Sequence, residues 1–229
     1  MPINTRILHP AKFSGAILDK IAEVVDPTWK VGVDPFAGIG RCHELVERGA
    51  IAHMIGIEIE PEWADQHPNT ICADVLDIDK IFSPASFDVV ITSPCYGNRM
   101  ADHHHARDGS RRITYRHSLG RGLHPANAGQ LQWGPRYRSF HEAAWAKVVP
   151  LIKPGGGFIL NCKDHIRGGE IQPVTAWHID TLCALGLTLD AADMHAVGAP
   201  GMRFGENAEK RVVEGEWLIV LKTPVMTTN

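Results

Sequence analysis

Short, continuously apolar segments alternate with segments of helical spacing along most of this 229-residue chain. Segments that are apolar on both faces are typical of a parallel sheet covered by helices on both sides. The sequence therefore predicts an α/β fold, a doubly wound, mostly parallel sheet of seven strands. The strands are predicted at 30–33, 51–59, 70–73, 87–92, 158–161, 187–189 and 216–221, and the helices at 16–25, 43–48, 140–152 and 172–185.

Length and cysteine usage exclude several classes of protein. A chain of this length with 44% hydrophobic residues can bury its own core, and we expect one domain over 1–229. The five cysteines are scattered without C-x-x-C spacing, which favours a reducing cytosol over a disulfide framework or a zinc finger. The sequence has neither a membrane-length apolar run nor a secretory leader. We therefore expect a cytoplasmic protein with no membrane and no metal.

Charge is concentrated in one part of the chain. Between Arg99 and Ser139 there are eight arginines, no lysine and two aspartates, although the net charge of the chain is −3. The segment 98–138 has no clear periodicity, and a connection this long inside a compact domain is usually functional. The pattern predicts a basic insertion that binds a polyanion, with a merely solvated loop as the alternative.

Acidic and small residues follow the first three predicted strands, where ligands bind in open α/β sheets. The loop after the first predicted strand, Asp34–Gly40, contains small residues that let a ligand approach its backbone. It lacks the glycine spacing of a dinucleotide-binding loop and the lysine of a phosphate-binding loop. Glu58 is expected to accept hydrogen bonds from both hydroxyls of a ribose, with Glu60 as the competing candidate. Asp74 is placed to meet an adenine amino group. The predicted binding residues are Asp34, Pro35, Phe36, Ala37, Gly38, Glu58, Ile59, Asp74 and Val75.

The motifs DPFAGIG, GIEIEPEW, CADVLD and TSPCYGNRM occur in this order along the chain. The series resembles that of S-adenosylmethionine-dependent amino-methyltransferases acting on nucleobases, over about residues 8–222. The resemblance implies a Rossmann-like class I methyltransferase fold and S-adenosylmethionine as cofactor. It also implies that Phe13 and Ser14 contact the methionine moiety, although a simple packing helix would explain the same segment.

The catalytic pattern of that family is Asp/Asn/Ser-Pro-Pro-Tyr/Phe, and this chain has Ser93, Pro94, Cys95 and Tyr96. The resemblance implies that the Ser93 hydroxyl and the Pro94 carbonyl accept the hydrogens of an exocyclic amine. Tyr96 would stack on an extruded base. Cys95 departs from the second proline, which leaves two alternatives open: a nucleic-acid-binding relative without activity, or a cysteine nucleophile that methylates carbon 5 of cytosine.

Serine at the first position of the motif resembles enzymes acting on N4 of cytosine more than those acting on N6 of adenine. DNA is the expected partner, with RNA as the alternative, and the short insertion leaves room for a homodimer. Asn161, Lys163 and Asp164 follow the fifth strand and are expected at the same rim. Tyr115, Trp133 and Tyr137 are expected to stack on bases or to wedge into the gap left by a flipped base. The predicted nucleic-acid contacts are Asn98, Arg99, Arg111, Arg112, Arg116, Arg121, Arg136 and Arg138.

Overall fold

The computed structural model describes residues 9–97, 114–167, 169–197 and 216–225. Its strands are β1 (Val31–Asp34), β2 (His53–Glu58), β3 (Thr70–Cys72), β4 (Phe87–Thr92), β5 (Ile152–Cys162), β6 (His165–Arg167), β7 (Glu170–Gln172), β8 (Thr188–Val197) and β9 (Glu216–Lys222). Its α-helices are α1 (Gly15–Val24), α2 (Glu44–Glu47), α3 (Pro61–Ala64), α4 (Ile78–Ile81), α5 (Tyr115–Leu119), α6 (Pro135–Val148) and α7 (Val174–Ala184).

Seven of these strands form one sheet in the order β3-β2-β1-β4-β5-β9-β8, while β6 and β7 form a separate hairpin. Strands β1 to β5 are parallel, and β9 runs antiparallel to both β5 and β8. The prediction of a mostly parallel, seven-stranded α/β sheet is confirmed. The chain order reverses between β1 and β4, so a crevice opens beyond the carboxyl ends of these two strands.

Strand β4 shows how the sheet is buried on both faces. Val90 belongs to the hydrophobic cluster on one face, with Trp145 and Phe158, whereas Val89 and Ile91 belong to the cluster on the other face, with α1. Successive side chains of a strand point to opposite faces, so this division is the one expected of a doubly wound sheet. Within the described residues, no helix combines the length and apolar composition that crossing a membrane requires.

Helix α1 confirms the helix predicted at 16–25. Ser14 is its N-cap, and the Ser14 hydroxyl accepts a hydrogen bond from the Ile17 amide at 3.2 Å. Ile17, Leu18 and Ile21 are buried at helical spacing. The Ser14 cap therefore fixes where α1 begins and the direction from which the preceding residues approach it.

The Pro-Gly-Gly-Gly segment at 154–157 lies outside the predicted elements, between the helix predicted at 140–152 and the strand predicted at 158–161. It lies inside β5 instead, and α6 begins five residues earlier than predicted. A Cβ on Gly157 would come within 2.1 Å of the Trp29 ring, and one on Gly156 within 2.4 Å of the Asp88 carbonyl. These glycines are required by close packing within the sheet, which the sequence pattern could not distinguish from a turn.

The described part of the basic insertion, 114–138, is structured. Thr114 caps α5, Gly120 ends it at φ +68°, and a short 3-10 helix spans Ala128–Gln130. Its last residues form the first turn of α6. The segment thus contains local structure that its lack of periodicity did not predict.

Candidate functional site

A cavity of about 580 Å³ opens beyond the carboxyl ends of β1 to β5, within the size range of small-molecule sites. The four predicted catalytic residues Ser93, Pro94, Cys95 and Tyr96 line it. Of the predicted cofactor residues, Pro35 alone is missing from the lining, and it is buried. The lining includes Phe13, Ser14, Asp34, Phe36, Ala37, Gly38, Glu58, Ile59, Asp74 and Val75. The structure therefore brings residues from four separate loops and the start of α1 to one cavity.

Asp34 joins the ends of β1 and β4. Its Oδ1 atom accepts hydrogen bonds from the Phe36 amide at 3.0 Å and from the Thr92 hydroxyl at 2.8 Å. The side chain is 1% exposed, and this burial raises the pKa of its carboxyl to about 6. The first bond closes a turn of the Asx type, which shapes the loop that follows β1.

Glu58 holds the same loop from the side of β2. Its two carboxylate oxygens accept from the amides of Gly38 and Glu60, each at 2.9 Å. Burial raises the pKa of Glu58 to about 7, against the lowering effect of these amides. Gly38 adopts φ +54°, in the left-handed region that favours glycine. A carboxylate has acceptor capacity beyond these two bonds, so Glu58 can also accept from a hydroxyl of a ligand.

Asp74 both caps a short helix and faces the cavity. Its side chain caps the short 3-10 helix Val75–Asp77 by accepting from the Leu76 amide at 2.9 Å, and it also lines the cavity. Capping uses one oxygen of the carboxylate, so the acceptor capacity of the other is available to a ligand.

Glu60, the competing candidate for the ribose, is fully buried and does not line the cavity. Its carboxylate accepts from the His124 amide, the Asn127 side chain and the Arg121 guanidinium, each at 2.7 Å. Arg121 is also paired with Glu62. Glu60 therefore fastens the insertion to the end of β2, and the charge of Arg121 is neutralised within the protein instead of facing a phosphate.

The loop Ser93–Tyr96, named the catalytic loop for its predicted role, is tied to β5 through its tyrosine. The hydroxyls of Ser93 and Tyr96 lie 2.8 Å apart, and Tyr96 Oη donates to Asn161 Oδ1 at 3.3 Å. The Asn161 amide in turn donates to the Trp217 carbonyl on β9 at 3.2 Å. Asn161 was expected at this rim, and the structure places it directly behind the catalytic loop.

The Cys95 thiol lies in an environment that disfavours ionisation. Burial raises the pKa of this thiol to about 11, and its polar contact is the Tyr115 hydroxyl at 3.6 Å. The thiolate is the nucleophilic form of cysteine, so at neutral pH this side chain is poorly suited to covalent catalysis. The geometry therefore disfavours the carbon-5 alternative.

Tyr137 supports the catalytic loop from behind, and the prediction that it stacks on a base is wrong because its side chain is fully buried. Its hydroxyl lies 2.6 Å from the Cys95 carbonyl and 2.9 Å from His178 Nε2. The Trp145 indole donates to His178 Nδ1 at 3.0 Å, and burial holds the pKa of His178 well below its usual value. Tyr137, His141 and Trp145 recur every four residues, a spacing that could have identified the buried side of α6.

The aromatic wall of the cavity includes two residues that sequence reasoning missed. The ring centroid of His9 lies 4.3 Å from that of Trp63 and 4.9 Å from that of Tyr115. Burial lowers the pKa of His9 to about 4. Trp63 and Tyr115 are almost completely buried, so the insertion contributes Tyr115 to the wall of the cavity.

The remaining described arginines of the insertion lie away from the cavity lining. Arg116 and Arg136 are exposed, and the Arg138 guanidinium lies 5.5 Å from the centre of the Trp133 ring. The predicted contacts Asn98, Arg99, Arg111 and Arg112 lie outside the described residues. Within the ranges that the structure describes, no group of three or more His, Cys, Asp or Glu side chains could hold a metal ion.

No protein-family model and no curated protein sequence matches this chain, but solved structures share its fold. An S-adenosylmethionine-dependent methyltransferase from Archaeoglobus fulgidus is 10% identical, with 90% of this chain and 93% of that chain covered and a TM-score of 0.55.

Two further structures have a TM-score of 0.54 and are 12% identical to this chain. One is in the complex of the Haloferax volcanii Trm112 methyltransferase activator with a methyltransferase, covering 93% of this chain and 90% of that chain. The other is the [4+2]-cyclase SpnF, covering 92% of this chain and 81% of that chain. At these identities the likeness concerns the fold, and the chain has the class I methyltransferase fold.

Proposed function

We propose that this protein transfers a methyl group from S-adenosylmethionine to the exocyclic amine of a DNA base, with N4 of cytosine favoured over N6 of adenine. The observation that carries the proposal is the composition of the single cavity described above. Its acids Asp34 and Glu58 are the last residues of β1 and β2, and Asp74 follows β3. Ser93 and Tyr96 of the catalytic loop line the same space.

The residues present suit this cofactor. Glu58 keeps acceptor capacity for ribose hydroxyls, and Asp74 keeps one oxygen for an adenine amino group. Phe36, Ile59 and Val75 supply apolar walls, while Phe13 and Ser14 line the end assigned to the methionine moiety. The cofactor supplies a methyl group that is already activated by its sulfonium, so the protein has to provide alignment and desolvation.

The catalytic loop is suited to an amine that is a poor nucleophile. The Ser93 hydroxyl and the Pro94 carbonyl accept its two hydrogens, which draws the nitrogen toward tetrahedral geometry and localises its lone pair. That lone pair forms the new N–C bond while the methyl–sulfur bond breaks, and one proton of the methylated amine is released to water. Tyr96 offers a ring face on which an extruded base can stack.

The basic insertion is the proposed contact with nucleic acid. Arg116, Arg136 and Arg138, with Arg111 and Arg112, would pair with phosphates or with guanine edges. Asn98 and Arg99 adjoin the catalytic loop in sequence and are proposed to contact base edges. Arg121 is left out because Glu60 and Glu62 already pair with it. A homodimer would enlarge this short recognition surface.

The experiment that tests the proposal is methyl transfer from tritiated S-adenosylmethionine to DNA and to RNA, followed by mass spectrometry of the nucleosides. N4-methylcytosine in DNA is the expected product, and N6-methyladenine would correct the base. Label in RNA alone would favour the RNA alternative. Cofactor binding without transfer to either polymer would favour a non-catalytic nucleic-acid-binding relative, since one fold serves many reactions.

A matched pair of variants links the product to the cavity. Ser93→Ala should abolish most of the label while leaving cofactor binding intact, since the hydroxyl is assigned to the target base. Glu58→Ala should weaken cofactor binding at least about tenfold, as expected from the loss of a charged hydrogen-bonding group. Wild-type levels of transfer by both variants would place the reaction outside this cavity and overturn the proposal.

A further inference from the structure

A chain of three hydrogen bonds leads from the backbone of the sheet to the catalytic loop. It begins at the Trp217 carbonyl on β9, passes through Asn161 on β5 and Tyr96, and ends at the Ser93 hydroxyl. The successive distances are 3.2, 3.3 and 2.8 Å. Ser93, Tyr96 and Asn161 all line the cavity, so the chain of bonds ends where the target amine would lie.

The chemistry of these groups fixes which atom donates in each of the three hydrogen bonds. A backbone carbonyl can only accept, so the Asn161 nitrogen must face Trp217 and the Asn161 oxygen must face Tyr96. That oxygen also can only accept, so the single hydroxyl proton of Tyr96 is used toward Asn161. The bond between Ser93 and Tyr96 then requires Ser93 as the donor. The Ser93 oxygen is left with lone pairs alone.

We propose that Asn161 is a positioning residue that acts through Tyr96 to hold the Ser93 hydroxyl as an obligate acceptor for the target amine. This inference rests on the function proposed above and deepens it. An amino group donates two hydrogens and is accommodated by such an oxygen, whereas a ring carbonyl would meet lone pair against lone pair. Asn161 therefore makes the cavity favour a base that presents an exocyclic amine to Ser93, such as cytosine or adenine, over one that presents a ring carbonyl, such as uracil or thymine.

Two features of the surroundings hold the chain of bonds in this arrangement. Asn161 is 1% exposed and lies on β5, whose pairing with β9 places the Trp217 carbonyl beside it. Burial, with Glu216 next in effect, raises the pKa of Tyr96 well above its usual value, so the hydroxyl keeps the proton that it donates. A serine without this support could rotate its hydroxyl proton toward the base.

A double-mutant cycle tests the coupling, because Tyr96→Phe removes the hydroxyl and keeps the stacking face. In the wild-type background, Asn161→Ala should lower kcat about tenfold, a loss of orientation at the amine, with cofactor affinity unchanged. In the Tyr96→Phe background, the same substitution should lower kcat less than about twofold, because its route to Ser93 is already broken. An equal loss in both backgrounds would overturn the proposal.

A second measurement needs no activity and separates this inference from the proposed function. The chain contains three tyrosines, so tyrosine labelled with ¹³C at Cζ gives three resonances, and Tyr96→Phe identifies that of Tyr96. Asn161→Ala and Ser93→Ala should each shift the Tyr96 resonance and leave those of Tyr115 and Tyr137 in place. A Tyr96 resonance unmoved by both substitutions would refute the chain of bonds, whether or not the protein methylates DNA.

Discussion

The side-chain amide of Asn127 donates to the carboxylate of Glu60 at 2.7 Å, and this bond fastens the insertion to the end of β2. The backbone amide of Glu60 simultaneously donates to Glu58, the acid assigned to the ribose. The insertion and the proposed cofactor site are therefore joined through one buried residue. The insertion, which is proposed to bind nucleic acid, is thus anchored at Glu60, two positions along the sequence from Glu58.

Removing this anchor should loosen the insertion before it affects the sheet. Glu60→Ala leaves the Asn127 side chain and the His124 amide without their acceptor, and Arg121 keeps only Glu62 as a carboxylate partner. This variant should lower the free energy of unfolding by about 3 kcal/mol, the low end for a broken buried pair. Hydrogen exchange should accelerate at 121–130 more than in β5. Glu62→Ala removes the other partner of the same arginine at a partly exposed position and should cost less than about 1 kcal/mol.

Equal losses of stability in the Glu60→Ala and Glu62→Ala variants, with unchanged exchange at 121–130, would show that the buried carboxylate does not anchor the insertion. Urea unfolding gives the stabilities, and mass spectrometry locates the exchange.

Binding of S-adenosylmethionine should release a proton near neutral pH. The pKa of Glu58 is raised to about 7 by burial, and two ribose hydroxyls donating to it favour the carboxylate form. Ligand binding therefore lowers this pKa, and at pH 7 on the order of half a proton should leave. Calorimetry in buffers of different ionisation enthalpy measures this release.

Glu58→Gln is the matched control for that release, since it keeps the size of the side chain and cannot ionise. In this variant the buffer dependence at pH 7 should largely disappear, with a small remainder from Asp34, whose pKa is about 6. Binding heats of the wild type that are independent of the buffer would contradict the assignment of Glu58 to the ribose.

Tyr137→Phe should destabilise the protein through the catalytic loop. The substitution leaves the buried Cys95 carbonyl and His178 without their hydroxyl partner, at a cost of about 1–3 kcal/mol. Tyr115→Phe serves as its control, because the Tyr115 hydroxyl makes a 3.6 Å contact with a sulfur, a weak partner. Thermal unfolding that ranks the two variants in the opposite order would argue against this support of the loop.

Substitutions in the catalytic loop should separate direct amine methylation from covalent catalysis. Cys95→Ser should keep most activity because the thiol, with its pKa of about 11, is protonated at neutral pH. Tyr96→Ala should lower turnover ten- to a hundredfold, in line with the loss of roughly 1–3 kcal/mol of stacking. Loss of activity in Cys95→Ser together with 5-methylcytosine as product would establish the covalent route.

Affinity for DNA should depend steeply on salt if the insertion tracks phosphates. The slope of log affinity against log salt concentration is about −0.9 for each duplex phosphate neutralised. Replacing Arg111, Arg112 and Arg116 together should therefore make this slope less negative by roughly two to three. Arg48→Ala, at a surface arginine paired with Asp19, should leave the slope unchanged. Equal slopes for the triple variant and the wild type would assign the insertion no role in phosphate binding.

Local signals were enough to predict most of the framework. The strand at 87–92 has its predicted limits, and α1 lies within one residue of the helix predicted at 16–25. The polar residues Asp34, Glu58 and Ser93 could be assigned to one rim because parallel strands present their carboxyl ends at the same edge of a sheet. Periodicity, caps and strand order are properties of short stretches of sequence, so they were accessible without the fold.

The sequence by itself determined the α/β class and most of the motif residues that line the cavity, whereas the tertiary structure decided which acids and arginines are already paired within the protein. Glu58 and Glu60 are two residues apart and look equivalent in sequence, but Glu60 is used by Asn127 and Arg121, which lie more than 60 residues away. Tyr137 is likewise unavailable for stacking on a base, because it is buried and its hydroxyl bonds to Cys95 and His178. A polar side chain is available to a ligand only if no distant residue satisfies it first, and such distant pairings are made by the fold.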